Sequence, residues 1–197
     1  MTEVLARAGS GDEQAMRVVW RAYNPMLLRY LRARLGTDDA DDVAQQIWVE
    51  VARLLARAPV LPAVGPSEAG DVSAGFRRLL FGVARRRLID EFRRRGRRPE
   101  QPDENVPEQP VTVDFDASDS LDRAVALVRR LPDDQAEAVL LRIVGDLDVA
   151  EVAEIMGKSE GSVRVLVHRG LHRLREMLSP TPKPVTEEID PAMRQVQ

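Results

Sequence analysis

The sequence predicts an all-α protein with two small helical domains joined by a flexible acidic linker. Apolar residues recur at three- and four-residue steps, without the alternating runs typical of strands. Stretches rich in proline, glycine or acidic residues interrupt this pattern at 56–75, 99–120 and 179–197. The length of 197 residues suits one domain or two small ones. We therefore expect helical domains at 1–98 and 121–178, the second a helix-turn-helix domain.

The three interruptions predict segments without regular structure. The stretch 56–75 is expected to be a long loop inside the first domain, and 99–120 is the proposed linker. Residues 179–197 contain four prolines and are expected to form a disordered tail.

Composition excludes several kinds of chemistry. The chain has no cysteine, so disulfides, thiolate metal sites and cysteine nucleophiles are absent. Its two histidines, His168 and His172, lack a nearby acidic third ligand, so we expect DNA contact or surface positions rather than a metal site. No recognisable catalytic arrangement or dinucleotide fingerprint occurs, and we expect neither enzymatic activity nor a cofactor. Without a signal peptide pattern or a ~20-residue apolar span, we expect a cytoplasmic protein with no membrane insertion.

Charge is distributed unevenly along the chain. Residues 76–98 carry ten arginines and two acids, a net charge of +8, whereas 99–120 carry seven acids and no base. Arginine favours bidentate contacts with phosphates and base edges. One hypothesis is that the linker acids fold back onto these arginines; the alternative is that they only keep the linker soluble and extended.

The segment after Thr37 and Asp38, which can cap a helix, divides into two faces. Its apolar stripe is expected to face the core and consists of Ala40, Val43, Ala44, Ile47, Val51, Leu54 and Leu55. The opposite face presents Asp42, Gln45, Gln46, Val49 and Arg53. Such a face is usually only solvated, but an exposed valine among polar groups raises the chance of a protein contact.

Residues 76–98 predict a long amphipathic helix with a cationic outer face. The apolar side consists of Leu80, Ala84, Leu88 and Phe92. The opposite side presents Arg78, Arg85, Arg86, Ile89 and Arg93. Phosphate attraction is the natural use of this face, and a merely solvated arginine face is the alternative. Arg87 falls toward the apolar side, where its stem is expected to snorkel to solvent or its guanidinium to pair with a carboxylate such as Glu91.

The end of the second domain has the spacing of a helix-turn-helix motif. Asp148 and Glu151 predict a capping box, Gly157-Lys158-Ser159 predicts a turn, and a second helix follows. Its inward side is expected to be Val163, Val167, Gly170 and Leu174. Its exposed side near the N-terminal half is expected to be Ser162, Arg164, Val165, His168 and Arg169. Since that half enters the major groove in this motif, DNA binding is predicted, with a purely structural helix pair as the alternative.

Four stretches, in this order, make the chain resemble the extracytoplasmic-function (ECF) group of bacterial RNA polymerase sigma factors. They are GDEQAMRVVWRAYNPMLLRYL, DDADDVAQQIW, FRRLLFGVARRRLIDEFRRR and LPDDQAEAVLLRIVGDLDVAEVAEIMGKSEGSVRVLVHRG. The resemblance covers about residues 9–98 and 121–178. It implies a subunit that binds core RNA polymerase, recognises the −35 and −10 promoter elements and helps to melt the DNA.

The second stretch resembles the family's helix that docks on the clamp helices of the polymerase beta-prime subunit. Asp41, Asp42, Gln45 and Trp48 match the family pattern, whereas Gln46 stands at a usually acidic position. The core polymerase-binding set implied here consists of Asp41, Asp42, Gln45, Gln46, Trp48, Val49 and Arg53.

The third and fourth stretches resemble the family's promoter-recognition segments. The implied −10 set consists of Arg78, Arg85, Arg86, Ile89, Asp90 and Arg93, with Arg86 in place of a common asparagine. The implied −35 set consists of Lys158, Ser162, Arg164, Val165, His168 and Arg169. Apolar contact with a thymine methyl is available to Val165. The resemblance also implies an anti-sigma factor as a partner.

Two other functions fit parts of the sequence. A helix-turn-helix transcription regulator that acts without polymerase docking leaves the outer face of 39–55 and the basic helix without a role. An adaptor that binds an acidic protein or RNA through the basic helix is the second alternative. Co-purification with core polymerase and duplex binding in the presence of bulk RNA distinguish these from a sigma factor.

Overall fold

The computed structural model describes residues 1–57, 72–96, 124 and 126–178, apart from the side chain of Asp38. These residues contain helices and no strand, which confirms the all-α fold class. The helices are α1 (Thr2–Gly9), α2 (Glu13–Leu35), α3 (Thr37–Arg57), α4 (Val72–Arg94), α5 (Asp133–Ile143), α6 (Val149–Met156) and α7 (Glu160–Leu178). The proposed linker and tail lie outside the described residues. Both ends of the predicted loop at 56–75 are helical, and its middle also lies outside them.

Helices α1 to α4 form the first domain, and local caps define where its long helices begin. The Asp12 side chain accepts hydrogen bonds from the backbone N–H groups of Gln14 and Ala15, at 2.9 and 3.0 Å. These bonds satisfy donors that the first turn of α2 leaves unpaired, and the bond from Ala15 is the main cause of the lowered Asp12 pKa. Gly36 separates α2 from α3 with a φ of 91°, a conformation that favours glycine.

The core of the first domain follows the predicted apolar stripe of α3. All of its members are buried except Leu54, which is partly exposed. Aromatic side chains from three helices meet beside it: the rings of Tyr23 and Phe76 lie 4.7 Å apart, and Trp48 stacks on Phe76 at 6.4 Å. Burial of these side chains supplies the main stabilisation of the domain.

Helices α5 to α7 form the second domain, in which α7 crosses α5 closely at a glycine. A Cβ on Gly170 would lie 2.7 Å from the Val139 Cγ2 atom and 3.4 Å from the backbone oxygen of Gln135. Only a residue without a side chain permits this approach, which agrees with the inward position predicted for Gly170.

The two domains contact each other through α4. Phe81 is fully buried, packs edge-on against Tyr30 at 5.3 Å, and lies next to Gly145 of the second domain. Val83, which is not part of the predicted apolar side, is also fully buried. Helix α4 therefore has a second contact face, so the simple division into one core side and one solvent side is wrong for this helix.

Replacement of Gly170 by alanine is expected to destabilise the second domain. The added methyl group overlaps Val139, and overpacking of this kind costs about 1–3 kcal/mol. The matched control is Gly82→Ala, because a Cβ at this helical position meets no atom within 4 Å. Urea denaturation should show a lower free energy of unfolding for Gly170→Ala and an unchanged or slightly higher one for Gly82→Ala. Equal values for both variants would contradict the close crossing.

Candidate nucleic-acid and partner interfaces

The outer face of α3 is an open surface, as its polar pattern predicts. The side chains exposed there are Asp41, Asp42, Gln45, Gln46, Val49 and Arg53. Val49 is 51% exposed, which is high for a valine in a helix whose other side is core. Asp41 lies 3.8 Å from Arg32 of α2, so the rim of the face is partly neutralised.

Trp48 differs from the other residues of the implied polymerase-binding set. It is only 9% exposed, and its indole N–H donates a hydrogen bond to the Asn24 Oδ1 atom at 2.9 Å. A buried indole usually finds such a partner. Trp48 therefore supports α3 from the core side and offers little surface to a partner.

On α4, the exposed members of the implied −10 set are Arg86, Asp90 and Arg93. Arg86 and Arg87 both point toward Glu50 of α3, at 3.8 and 2.6 Å. The expectation that Arg87 pairs with a carboxylate is confirmed, but the partner is Glu50. Glu91, the example suggested by the sequence, is buried and binds Arg94 and Arg95 instead.

The other members of that set, Arg78, Arg85 and Ile89, are partly covered. The Arg78 Nη1 atom lies 2.7 Å from Glu154 of α6, and the Arg85 Nε atom lies 3.8 Å from Glu137 of α5. The expectation that both arginines face solvent is wrong, since the second domain supplies carboxylates to them.

The helix-turn-helix motif has the local structure that its sequence predicts. Asp148 and Glu151 form a reciprocal capping box, with both hydrogen bonds at 2.8 Å. Gly157 ends α6 in the left-handed conformation at φ 66°. The Ser159 Oγ atom then accepts a hydrogen bond from the backbone N–H of Ser162 at the start of α7. The capping box thus defines where α6 begins, and Gly157 and Ser159 define the turn between α6 and α7.

The N-terminal half of α7 presents its predicted outer side to solvent. The exposed residues are Ser162, Arg164, Val165, His168 and Arg169. Arg164 pairs with Glu160 of the same helix at 2.6 Å, and Lys158 pairs with Asp134 of α5 at 2.9 Å. The residues that line an open groove beside this face are Asp134, Lys158, Ser159, Gly161, Ser162, Val165 and Leu166.

The two histidines lie side by side on α7, with ring centres 6.5 Å apart. The expectation that no acidic group lies near them is wrong, because His172 lies 3.5 Å from Glu176. Among the residues that the structure describes, no group of three or more histidines and carboxylates is arranged to hold a metal ion. No helix in the described ranges is long and apolar enough to cross a bilayer.

Glu137 forms a polar cluster between the domains that the sequence did not indicate. This carboxylate is buried and accepts a hydrogen bond from the Tyr30 hydroxyl at 2.6 Å. The Arg34 guanidinium lies 3.4 Å from Glu137 and 3.0 Å from Asp133. Burial and the neighbouring Glu137 charge raise the Tyr30 pKa well above its usual value. Burial opposes the charge of Arg34, but Glu137 and Asp133 outweigh it and raise the Arg34 pKa.

Comparison with known proteins places these features in one class. Residues 121–174 match the family model for sigma-70, region 4, a range that contains the helix-turn-helix motif. The chain is 35% identical over 184 residues to the ECF RNA polymerase sigma factor SigD of Mycobacterium tuberculosis, covering 88% of this chain and 81% of that protein. It is 31% identical to the ECF RNA polymerase sigma factor ShbA of Streptomyces griseus, covering 87% and 91%.

A solved structure supports the same architecture. The fold is similar to that of CnrH in a complex with the cytosolic domain of CnrY, with a TM-score of 0.59 and 22% identity. The match covers 90% of this chain and 96% of that chain. The protein is thus an all-helical transcription factor with a sigma-type helix-turn-helix domain. It belongs to the family of ECF RNA polymerase sigma factors.

The buried position of Trp48 leads to a stability prediction. Trp48→Phe removes the indole N–H and leaves the Asn24 amide oxygen without its partner, which is expected to cost about 1–3 kcal/mol. Val49→Ala, at the exposed neighbouring position, should change the free energy of unfolding by less than about 0.5 kcal/mol. Guanidinium denaturation followed by circular dichroism measures both. A neutral Trp48→Phe variant would contradict a structural role for the hydrogen bond.

Proposed function

We propose that this sigma factor binds core RNA polymerase through the outer face of α3 and directs initiation at promoters with −35 and −10 elements. In this proposal α7 recognises the −35 element, and α4 takes part in recognition and melting of the −10 element. The observation that carries the proposal is the exposed N-terminal half of α7, held in place by the capped α6–turn–α7 unit.

The surface of α7 has the chemistry needed for a major groove. Arg164 can donate two hydrogen bonds to a guanine edge, Val165 can contact a thymine methyl, and His168 and Arg169 extend the polar face. Lys158 at the turn lies beside this surface, where a cation favours the phosphate backbone. All of them come from one helix and its preceding turn, so they are presented as one surface.

The role of α4 is supported by its charge and by the resemblance of its sequence to the family's −10 segment. Exposed Arg86 and Arg93 offer phosphate contacts, and Asp90 and Ile89 lie between them along the helix. Capture of unstacked bases costs a few kcal/mol per step, which is offset by binding energy from the upstream domain. No covalent chemistry and no cofactor enter this process.

The outer face of α3 is the proposed contact with the clamp helices of the polymerase beta-prime subunit. Its exposed valine is surrounded by amides and carboxylates, a combination suited to a helix-on-helix contact with a polar rim. An anti-sigma factor is proposed as a further partner, and the similar fold of CnrH was solved with a second protein chain bound. These partners place the proposed function in the cytoplasm.

Transcription in vitro with core polymerase and a genomic DNA library tests the proposal directly. Start sites should share two upstream elements that are absent from start sites made by core polymerase alone. A lack of protein-dependent start sites would refute the proposed function.

Polymerase docking is expected to depend on Val49. Val49→Glu places a charge in the proposed contact without disturbing the core, so affinity for core polymerase should fall about tenfold or more while helicity is unchanged. The control is Val18→Glu, which makes the same change at a 44% exposed valine of α2. Binding of labelled protein to core polymerase gives both affinities, and equal affinities would exclude the α3 face.

Recognition of the −35 element is expected to depend on Arg164 more than on Arg173. Arg164→Ala should cost about 1–3 kcal/mol at one base pair if the contact is bidentate. Arg173→Ala, farther along α7, should have a small effect that is uniform across sequences. Binding of the holoenzyme to a set of single-base promoter variants measures both. Sequence-independent losses for both variants would mean that Arg164 contacts only phosphate.

A further inference from the structure

We propose that Glu160 is a positioning residue for DNA recognition. Its carboxylate holds Arg164 so that the guanidinium distinguishes the edge of a guanine from a phosphate. The inference deepens the proposed function and rests on it, because it concerns recognition of the −35 element by α7. It gives a role to an acidic side chain that belongs to none of the implied binding sets.

Glu160 is the one acid in a basic stretch of the sequence. Residues 158–175 contain five lysines or arginines and a single acidic residue, which is Glu160. It is the first residue of α7, at the helix end that enters the major groove in this motif. A carboxylate there repels the phosphates that a helix N-terminus and nearby cations attract. Glu160 therefore lowers the affinity for any DNA unless it also helps to read a base.

Glu160 and Arg164 are in direct contact. The Arg164 Nη2 atom donates a hydrogen bond to the Glu160 Oε2 atom at 2.6 Å, across one turn of the helix. The two side chains are 62% and 50% exposed, for Arg164 and Glu160 respectively. An ion pair with this exposure adds little to folding stability, because water screens it. Its main effect is therefore expected when DNA covers the pair and removes the water.

The hydrogen bond between the two side chains leaves Arg164 able to bind a base. A guanidinium carries five N–H donors, and this bond uses one of them. Guanine presents two acceptors in the major groove, O6 and N7, which two of the remaining N–H groups can reach together. Arg164 can thus bind guanine while its bond to Glu160 stays intact. The carboxylate then fixes the plane of the guanidinium, which reduces the conformational entropy lost on binding.

A contact of Arg164 with phosphate is affected differently by Glu160. A phosphate that reaches the guanidinium also comes close to the carboxylate that is bound to it. The two anions repel each other, and the repulsion grows as water leaves the interface. The acceptors of guanine are uncharged, so they experience much less repulsion. Glu160 therefore weakens the contact with phosphate more than the contact with guanine, and this difference is base selectivity.

The arginines farther along α7 have no such carboxylate. Arg169 and Arg173 are exposed, and neither forms an ion pair with any residue that the structure describes. Both can contact the phosphate backbone of any sequence. The surface of α7 thus combines an arginine held by a carboxylate, at the end that reads bases, with arginines that supply general attraction.

Lys158 provides a comparison at the same end of the surface. Its Nζ atom lies 2.9 Å from a carboxylate oxygen of Asp134 in α5. An ammonium group is a point charge without a planar fork of donors, so a carboxylate can only reduce its attraction for phosphate. Loss of the Asp134 charge should therefore raise the affinity for all sequences alike. Loss of the Glu160 charge should change the preference for one base.

The base selectivity of the holoenzyme provides the test. Core polymerase is reconstituted with the full-length chain, and the probes come from a promoter mapped by transcription, with all four base pairs placed at each upstream position. Glu160→Gln should lower the selectivity at the base pair read by Arg164 about fivefold, which is within the range of one bidentate contact. Selectivity is a ratio of two affinities, so the general contribution of the polymerase cancels.

Two further variants control for the loss of charge. Glu176→Gln removes an exposed carboxylate near the other end of α7 and should leave the selectivity unchanged. Asp134→Asn should raise the affinity for all probes to a similar degree without changing the base preference. Circular dichroism and thermal unfolding of the free chains check that each variant folds like the parent.

A double-mutant cycle separates positioning of Arg164 from simple repulsion of DNA. In the Arg164→Ala background, Glu160→Gln should no longer change the selectivity at that base pair, because the guanidinium that it holds is absent. It should still raise the affinity for a duplex without the element, because the carboxylate that repels phosphate is removed.

Three results would overturn the inference. They are unchanged selectivity in Glu160→Gln, a loss of the same size in the Arg164→Ala background, and a change confined to a different base pair. The last result would mean that Glu160 itself accepts a hydrogen bond from a cytosine. Failure of the proposed function has a separate signature, because Arg164→Ala then leaves the selectivity at every upstream base pair unchanged, and the inference fails with it.

Discussion

The arrangement of the two domains depends on one buried carboxylate, Glu137. A charge with so little exposure is tolerated only where suitable partners surround it, and those partners come from the other domain. The Tyr30 hydroxyl donates a hydrogen bond to Glu137, and the Arg34 guanidinium forms an ion pair with it. The start of α5 reinforces this contact, because Asp133 binds the same arginine. With the second domain in this position, Gly145 lies next to Phe81 of α4. The carboxylate of Glu154 then lies within reach of Arg78.

Helix α4 illustrates why part of this structure could be predicted from the sequence and part could not. The apolar spacing of Leu80, Ala84 and Leu88 identifies the core side, and all three are buried as expected. Periodicity gives no information about a contact with a distant segment, and Tyr30 and Glu137 are separated by 107 positions. An arginine also has the same sequence signature whether it binds phosphate or a carboxylate of its own chain.

In the candidate interfaces, too, local features could be predicted from the sequence, whereas features that depend on distant contacts could not. Capping residues act over three or four positions, so the box at Asp148 and the turn at Gly157 could be identified from the sequence alone. The outer face of α3 follows from helical geometry in the same way. Trp48 could not be placed correctly, because its burial depends on Asn24 and Phe76 of neighbouring helices, and family position alone indicated a surface role.

The ionic character of the domain contact has a consequence for how the fold responds to salt. Dissolved ions screen pairs between exposed groups much more than pairs that are buried. The pair of Arg78 with the exposed carboxylate of Glu154 should therefore weaken as salt is added, whereas the contacts of the buried Glu137 should change little. High salt is thus expected to loosen the rim of the domain contact before its centre.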